Sequence, residues 1–405
     1  MKKLLALVIA FFLLSGMFVS CKYKRNDYDT YKKTDSISVN DQLAYQNNID
    51  VQADISKLKS YDGQLLIYPT QNKNIPNRPA DPDLLPISDP MHWYDIQFPG
   101  WVVDKINIPL SDGDGPKGKK VYVIITSEHP YWTAVGIGAK KVADAYGIDF
   151  KMLNPNGDLV KQNELIEDAI NDNADMIILA TIDTRKAVTQ AKKINEAGIP
   201  LIFFNTLPES EALKYCLAWT GPDDWENFKM LARTLADELD SIGGVCYLRH
   251  APKGGSPYYA RNWAPITELA DYSPMIKSLD SKDAEFNYDK TKKIVIDWIN
   301  DYGDELKGIV CSDDSIQAIG AINACKEMNR PDIVIVASGN GKNGMDAVKK
   351  GDMFAITYQS AEADGALPLK VAADWFSGKE IDNIYYLSSN IITKKNVDKY
   401  MPAQW

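Results

Sequence analysis

From Val121 onward the chain alternates short apolar runs with segments of amphipathic helical spacing, and this alternation restricts it to folds built on a parallel sheet. The first unit is the stretch Val121–Tyr146. Val121 to Thr126 is rich in Val, Ile and Tyr and suits a buried strand; Ser127 to Pro130 interrupt it, and a helical pattern begins at Tyr131. Trp132, Val135, Ala139, Val142 and Tyr146 then recur at spacings of three and four, so they share one helix face packed on the sheet. In open α/β sheets ligands bind beyond the carboxyl ends of the strands, which is where Ser127, Glu128, His129, Pro130, Tyr131 and Trp132 would sit.

The same plan repeats. Strands are expected at Asp149–Leu153, Met176–Ala180 and Leu201–Asn205, with helices at Leu159–Asn171 and Thr184–Ala197, the latter closed by Gly198 and Pro200. A second series follows, with strands at Cys216–Thr220, Val245–Leu248, Gly308–Cys311, Ile333–Ala337 and Met353–Thr357. Its helices are expected at Asp224–Leu239, Tyr258–Leu269, Lys290–Ile299 and Ser315–Met328, with a short one ending at Lys350. A last helix, Ala366–Phe376, and a strand near Tyr385–Ile392 complete the pattern. At 405 residues the chain exceeds what one core usually serves, so two doubly wound α/β lobes are expected.

The first residues read as an export signal: Lys2 and Lys3 precede an unbroken apolar run from Leu4 to Leu14, then small residues up to Cys21. The run falls short of the roughly 20 residues needed to span a bilayer. Phe18-Val19-Ser20-Cys21 resembles a bacterial lipobox, with Phe18 where Leu is usual, which implies lipidation of Cys21 and a chain anchored at the periplasmic or cell surface. Residues 22–118 form a polar tether and an N-terminal arm. Met91-His92-Trp93-Tyr94 and Trp101-Val102-Val103 would be costly to leave in water, so the arm is expected to pack on the body. A net charge of −10, from 45 Lys and Arg against 55 Asp and Glu, argues against a nucleic-acid partner. Cys216, Cys246, Cys311 and Cys325 lack CxxC or metal-cluster spacing and read as buried free thiols.

Gly339-Asn-Gly341-Lys-Asn-Gly344 matches GxGxxG between a strand and a helix, which raises an exported enzyme with a dinucleotide. The helix after it is short, and Gln359 stands where an acid should close the next strand, so a glycine-rich turn at a cleft edge is preferred and no cofactor is expected. No GxSxG elbow is present, and His92, His129 and His250 show no metal-ligand spacing. What recurs is a polar or aromatic residue at each strand's carboxyl end: His129, Tyr131 and Trp132, then Asp183, Asn205, Arg261, Asp313, Asp314, Asn340 and Gln359. Sugars and polyols need this mixture, because planar polar side chains pair with adjacent hydroxyls while an aromatic ring covers the apolar CH face. Taken singly, Asp183 and Asp313 read equally as helix caps.

The first strand with its HPYW loop, the segment ILATIDTRKAVTQAKKINEAGIPLIFFN, the segment CSDDSIQAIGAINAC and VIVASGNGKNGMDAVKKGDMFAITYQ resemble the type I periplasmic binding proteins of the ribose and galactose type, over about residues 119–395. The resemblance implies two lobes joined by a three-strand hinge. They would comprise 119–221 plus 360–387, and 222–359 plus 388–405, with crossovers near Gly221–Asp223, Gln359 and Ile384–Ser388. It implies a binding protein rather than an enzyme: a monomer that feeds a small sugar or polyol to an ABC importer. Trp132 would stack on the ligand, and Asn205, Arg261, Asp313 and Gln359 would hydrogen-bond it. Asn205 and Thr206 stand where ribose binders use Asp and Arg, and Gly339 where they use Asp, which argues against ribose itself. The autoinducer-2 receptor branch is similar at Tyr131-Trp132, Asn205, Arg261 and Cys311–Asp314, and implies an alternative role feeding a membrane sensor. Ser338 and Gln359 depart from that branch's ligand Trp and second Arg.

Overall fold

The computed structural model describes residues 54–68, 73, 75–98, 104–249 and 256–405. The export signal, Cys21, the tether to residue 53, Trp101–Val103 and His250 lie outside the described residues.

Two six-stranded sheets form the body. The first contains β1 (Lys120–Ile124), β2 (Asp149–Leu153), β3 (Met176–Leu179), β4 (Leu201–Phe204), β5 (Ala218–Gly221) and β11 (Ile384–Tyr386), in the order β11-β5-β4-β3-β1-β2 and parallel throughout. The second contains β6 (Gly243–Arg249), β7 (Ile276–Asp283), β8 (Leu306–Cys311), β9 (Val334–Ala337), β10 (Ala355–Tyr358) and β12 (Asn390–Thr393), in the order β12-β10-β9-β8-β6-β7. Among the described residues of this sheet only β12 runs antiparallel. Strands β3 and β4 are buried at every position, as strands covered by helices on both faces must be. Order reverses at β1, between β2 and β3, and at β6, between β7 and β8. Those switch points open crevices beyond the strands' carboxyl ends.

Helices α1 (Pro130–Tyr146), α2 (Leu159–Asn171) and α3 (Ala187–Glu196) connect the first sheet; α4 (Asp224–Glu238), α5 (Ser256–Tyr272), α6 (Tyr288–Tyr302), α7 (Gln317–Glu327) and α8 (Lys342–Lys350) connect the second. Helix α9 (Ala361–Phe376) returns to the first lobe and lies against α1. Their approach is close enough that a Cβ on Gly138 would fall 1.8 Å from the Glu362 carbonyl oxygen, and one on Gly365 1.9 Å from that of Val135. The chain crosses between the sheets three times: from β5 to α4, from β10 to α9 and from β11 to β12.

Three expectations are corrected. β7, IKSLDSKD, is polar because it is an edge strand with few buried positions, so no apolar run announces it. The single strand near Tyr385–Ile392 is two, one in each sheet. The last helix starts at Ala361, capped by the Ser360 hydroxyl, and carries Pro368 inside it; that proline conceals the earlier start.

The arm packs on both lobes. Leu58 and Leu66 join the first lobe's core, Lys141 binds the Lys59 carbonyl and Glu362, and Tyr61 donates its N–H to Glu362. Lys73 pairs with Asp223 at the first crossover and lies over the Tyr386 ring beside the third. Trp93 is buried in the second lobe's core, stacked on Trp263 with ring centroids 5.0 Å apart. Residues 104–118 then return to the first lobe, where Ile106 donates to the Lys214 carbonyl and Gly115 to that of Phe376. Cys216, Cys246, Cys311 and Cys325 are free and buried.

Candidate functional site

β1 and β4 deliver the first lobe's polar groups. After β1 the chain turns into α1 with His129 as N-cap, its Nδ1 accepting the Tyr131 N–H at 3.1 Å, and Pro130 at the first helical position, where a missing N–H costs nothing. This places the Tyr131 hydroxyl over the sheet's end. Asn205 follows β4 with φ of +60°, a left-handed conformation that Asn tolerates better than most residues. Asp364 enters from the first turn of α9, where the positive end of the helix dipole favours a carboxylate.

These groups form one network. Tyr131 donates its hydroxyl proton to Asp364 Oδ2 at 2.6 Å and accepts from Gln359 Nε2 at 2.9 Å. Asn205 Nδ2 bridges, donating to Asp364 Oδ2 at 2.6 Å and to the Tyr131 oxygen at 3.2 Å. Gln359 is held in turn by its own N–H, which donates to Asn340 Oδ1 at 3.0 Å. Asp364 and Asn340 are both fully buried, yet among the described residues Asp364 Oδ1 and Asn340 Nδ2 have no hydrogen-bond partner. A buried acceptor and a buried donor left unmade are costly, so each would gain from a bound hydroxyl.

The second lobe supplies the charges. Arg261, from α5, donates Nε to Asp224 Oδ1 at 3.0 Å and Nη1 to the Ser312 carbonyl at 2.9 Å. Asp313 Oδ1 accepts the N–H groups of Ile316 and Gln317, capping the turn into α7. The lobes approach closely enough that the Asp313 carboxylate acts on His129 and the Arg261 guanidinium on Tyr131. Burial pushes Asp364 up to about 7, against the hydrogen bonds from Tyr131 and Asn205, and the nearby Asp224 raises it further. Burial likewise raises Asp224 and Asp313, each opposed by Arg261. His129 is exposed; lost hydration lowers its pKa and Asp313 opposes that. Desolvation and Asp364 raise Tyr131 well above its ordinary value, so it stays a donor.

Of the ten residues singled out in the sequence, Tyr131, Asn205, Asn340 and Gln359 share this network, and His129, Arg261 and Asp313 lie beside it. Three take other roles. Trp132 is only 8% exposed and sits in the first lobe's core, edge-on to Phe204 at 5.8 Å; its place in the apolar helix stripe turns the ring inward instead of toward a ligand. Asp183 is engaged by Arg185, whose N–H and Nε donate to Oδ1 at 3.0 Å. Asp314 is buried against the glycine-rich turn: a Cβ on Gly339 would lie 2.5 Å, and one on Gly344 2.0 Å, from its carboxylate oxygens. Gly339 and Gly344 of GNGKNG thus make room for Asp314. Asp364, Asp224 and Trp405, whose ring lies edge-on to Tyr131 at 5.0 Å, went unrecognised in the sequence. Asp364 lies ahead of the helix start read at Ala366, and Asp224 reads as an ordinary first-turn acid. Trp405 carries no periodic signal.

Residues 121–380 match the family model of the periplasmic binding protein domain. The chain is similar to the xylitol-binding protein of Mycolicibacterium smegmatis, 28% identical over 282 residues that cover 69% of this chain and 78% of that one. It is also similar to the ribose import binding protein of Haemophilus influenzae, 26% identical over 278 residues covering 68% and 92%. Among solved structures, an ABC transporter solute-binding protein from Bacillus halodurans with bound myo-inositol superposes with a TM-score of 0.64 at 21% identity, over 72% of this chain and all of that one. The two relatives are named as binding proteins, one for xylitol and one for ribose import, not as enzymes.

Proposed function

The chain belongs to the periplasmic binding protein family, and on that premise we propose that it captures a small sugar or polyol between its lobes and delivers it to an ABC importer. One observation carries the reading: an unpartnered acceptor, Asp364 Oδ1, and an unpartnered donor, Asn340 Nδ2, are buried in one network that both lobes border. A hydroxyl donates and accepts, so adjacent hydroxyls of a polyol match this pairing where an apolar or purely anionic ligand does not. Arg261 and Asp313 from the second lobe, with Asn205, Gln359 and Tyr131, would complete the set. His129 borders the entrance. Closure then follows from contacts made to both lobes at once, which favour the closed arrangement by their differential affinity alone.

The names of the relatives, which bind xylitol or import ribose, support this ligand class. Membership of the family implies export, and in this reading the chain is held at the membrane by lipid on Cys21. Calorimetric titration with xylitol, ribose and myo-inositol, repeated on Arg261→Ala, tests it. Micromolar or tighter binding of one of them, abolished in the variant, is expected. Failure of wild-type protein to bind any sugar or polyol would overturn the reading.

A further inference from the structure

Two segments outside the family match, residues 54–68 and 401–405, meet beside the cleft. Gln404 is almost wholly buried; its Nε2 donates to Asp62 Oδ2 at 2.9 Å and its Oε1 accepts the Glu362 N–H at 3.0 Å. Asp62 is a hub. Its Oδ2 also accepts the Tyr358 hydroxyl at 2.9 Å, and its Oδ1 accepts from Ser60 and from the Gln64 N–H. One carboxylate of the arm therefore holds the end of β10, just before Gln359, together with the residue preceding Trp405.

Trp405 is placed accordingly. Its carbonyl accepts the Lys342 N–H at 2.7 Å at the start of α8, and Gly341 leaves room for the indole: a Cβ there would lie 2.9 Å from Nε1. The same ring meets Tyr131 of the first lobe edge-on, with centroids 5.0 Å apart at 84°. Trp405 is thus anchored on the second lobe, touches the first, and stays partly exposed beside the polar network, while Trp132 is withdrawn into the core. A polyol with its hydroxyls on Asp364 and Arg261 still presents a CH face that favours an aromatic cover.

We propose that Trp405 is the aromatic wall of the ligand site, and that Asp62 of the N-terminal arm positions it through Gln404. The proposal rests on the sugar or polyol reading for its stacking half only; the relay from Asp62 stands on the protein alone. Asp62 and Gln404 act through Trp405 and are positioning residues.

The test uses the full chain labelled with 5-fluorotryptophan, with the Trp405 ¹⁹F resonance assigned from Trp405→Phe. Without ligand, Asp62→Ala and Gln404→Ala are expected to shift or broaden that resonance while leaving that of Trp93 in place, which controls for folding and arm docking. Asp62→Asn, which keeps one acceptor oxygen, should move it less. With whichever of xylitol, ribose or myo-inositol binds, Trp405→Ala should lose at least tenfold in affinity, Trp405→Phe only a few-fold, and Asp62→Ala should follow Trp405→Ala. An unmoved resonance in Asp62→Ala overturns the relay, whether or not a ligand binds. Wild-type affinity in Trp405→Ala, with binding still abolished in Arg261→Ala, overturns the stacking role and leaves the sugar or polyol reading standing.

Discussion

Asp364 stores a pH dependence that a single substitution should remove. Its folded pKa of about 7 lies above the ordinary carboxylate value of 3.8 because burial disfavours the ion. Below pH 4 both folded and unfolded chains hold the proton and the group costs nothing. Between about 4 and 7 the unfolded chain releases it while the folded chain keeps it, so stability falls as pH rises; above 7 both are ionised and the loss is constant. A shift of about 3 units corresponds to about 4 kcal/mol in all, of which about 2.5 kcal/mol falls between pH 5 and 8. Asp364→Asn keeps an acceptor oxygen for Tyr131 and Asn205 but cannot titrate. Guanidinium unfolding of both proteins at pH 5, 6.5 and 8 is the assay. Asp224, Asp313, Asp314 and Glu362, also raised by burial, titrate in both, so the difference reports Asp364 together with its coupling to Asp224. The wild type should lose about 2–3 kcal/mol relative to the variant between pH 5 and 8. Parallel pH profiles would refute the reasoning. A ligand hydroxyl donating to Oδ1 favours the ion, so wild-type affinity should also weaken as pH drops from 8 to 6.

Gly138→Ala puts a methyl into the Glu362 backbone and forces α1 from α9; a loss of about 1–3 kcal/mol and a lower thermal midpoint are expected, and an unchanged midpoint would mean that the helices yield freely. Trp93→Ala should cost about 3 kcal/mol of arm docking on the second lobe, read as faster proteolysis within residues 75–98 with the lobes intact. The thiols of Cys216, Cys246, Cys311 and Cys325 are buried, and desolvation raises each pKa, to about 11 for Cys216 and about 12 for Cys246 and Cys325. All four should resist iodoacetamide in the native protein at pH 8 and react in guanidinium; native labelling of any one would contradict its placement.

The lobes were legible because central parallel strands must be apolar and their helices striped, and β1, β3, β4 and the stripe of α1 show both patterns plainly. The edge strand β7 was not, since an edge that meets water needs no such pattern. Asn205, Arg261 and Gln359, which the structure brings into or beside one polar network, drew notice because polar residues at strand ends or helix starts have few structural reasons to recur together. At Trp132 one position served two readings, since it begins the stripe of α1 and also follows the turn after β1; the structure turns its ring into the core. Asp364 and Trp405 depend on α9 returning to the first lobe and on residues 401–405 lying beside α8, contacts between segments far apart in the chain that periodicity does not encode.

A crystal structure with the polyol selected by the binding screen tests the central claim most directly. The account predicts the ligand between the lobes, one hydroxyl within hydrogen-bond distance of Asp364 Oδ1, another accepting from Asn340 Nδ2, and contacts to Arg261 from the second lobe. A polyol bound outside the cleft, or in it with Asp364 Oδ1 and Asn340 Nδ2 still unpartnered, would contradict it.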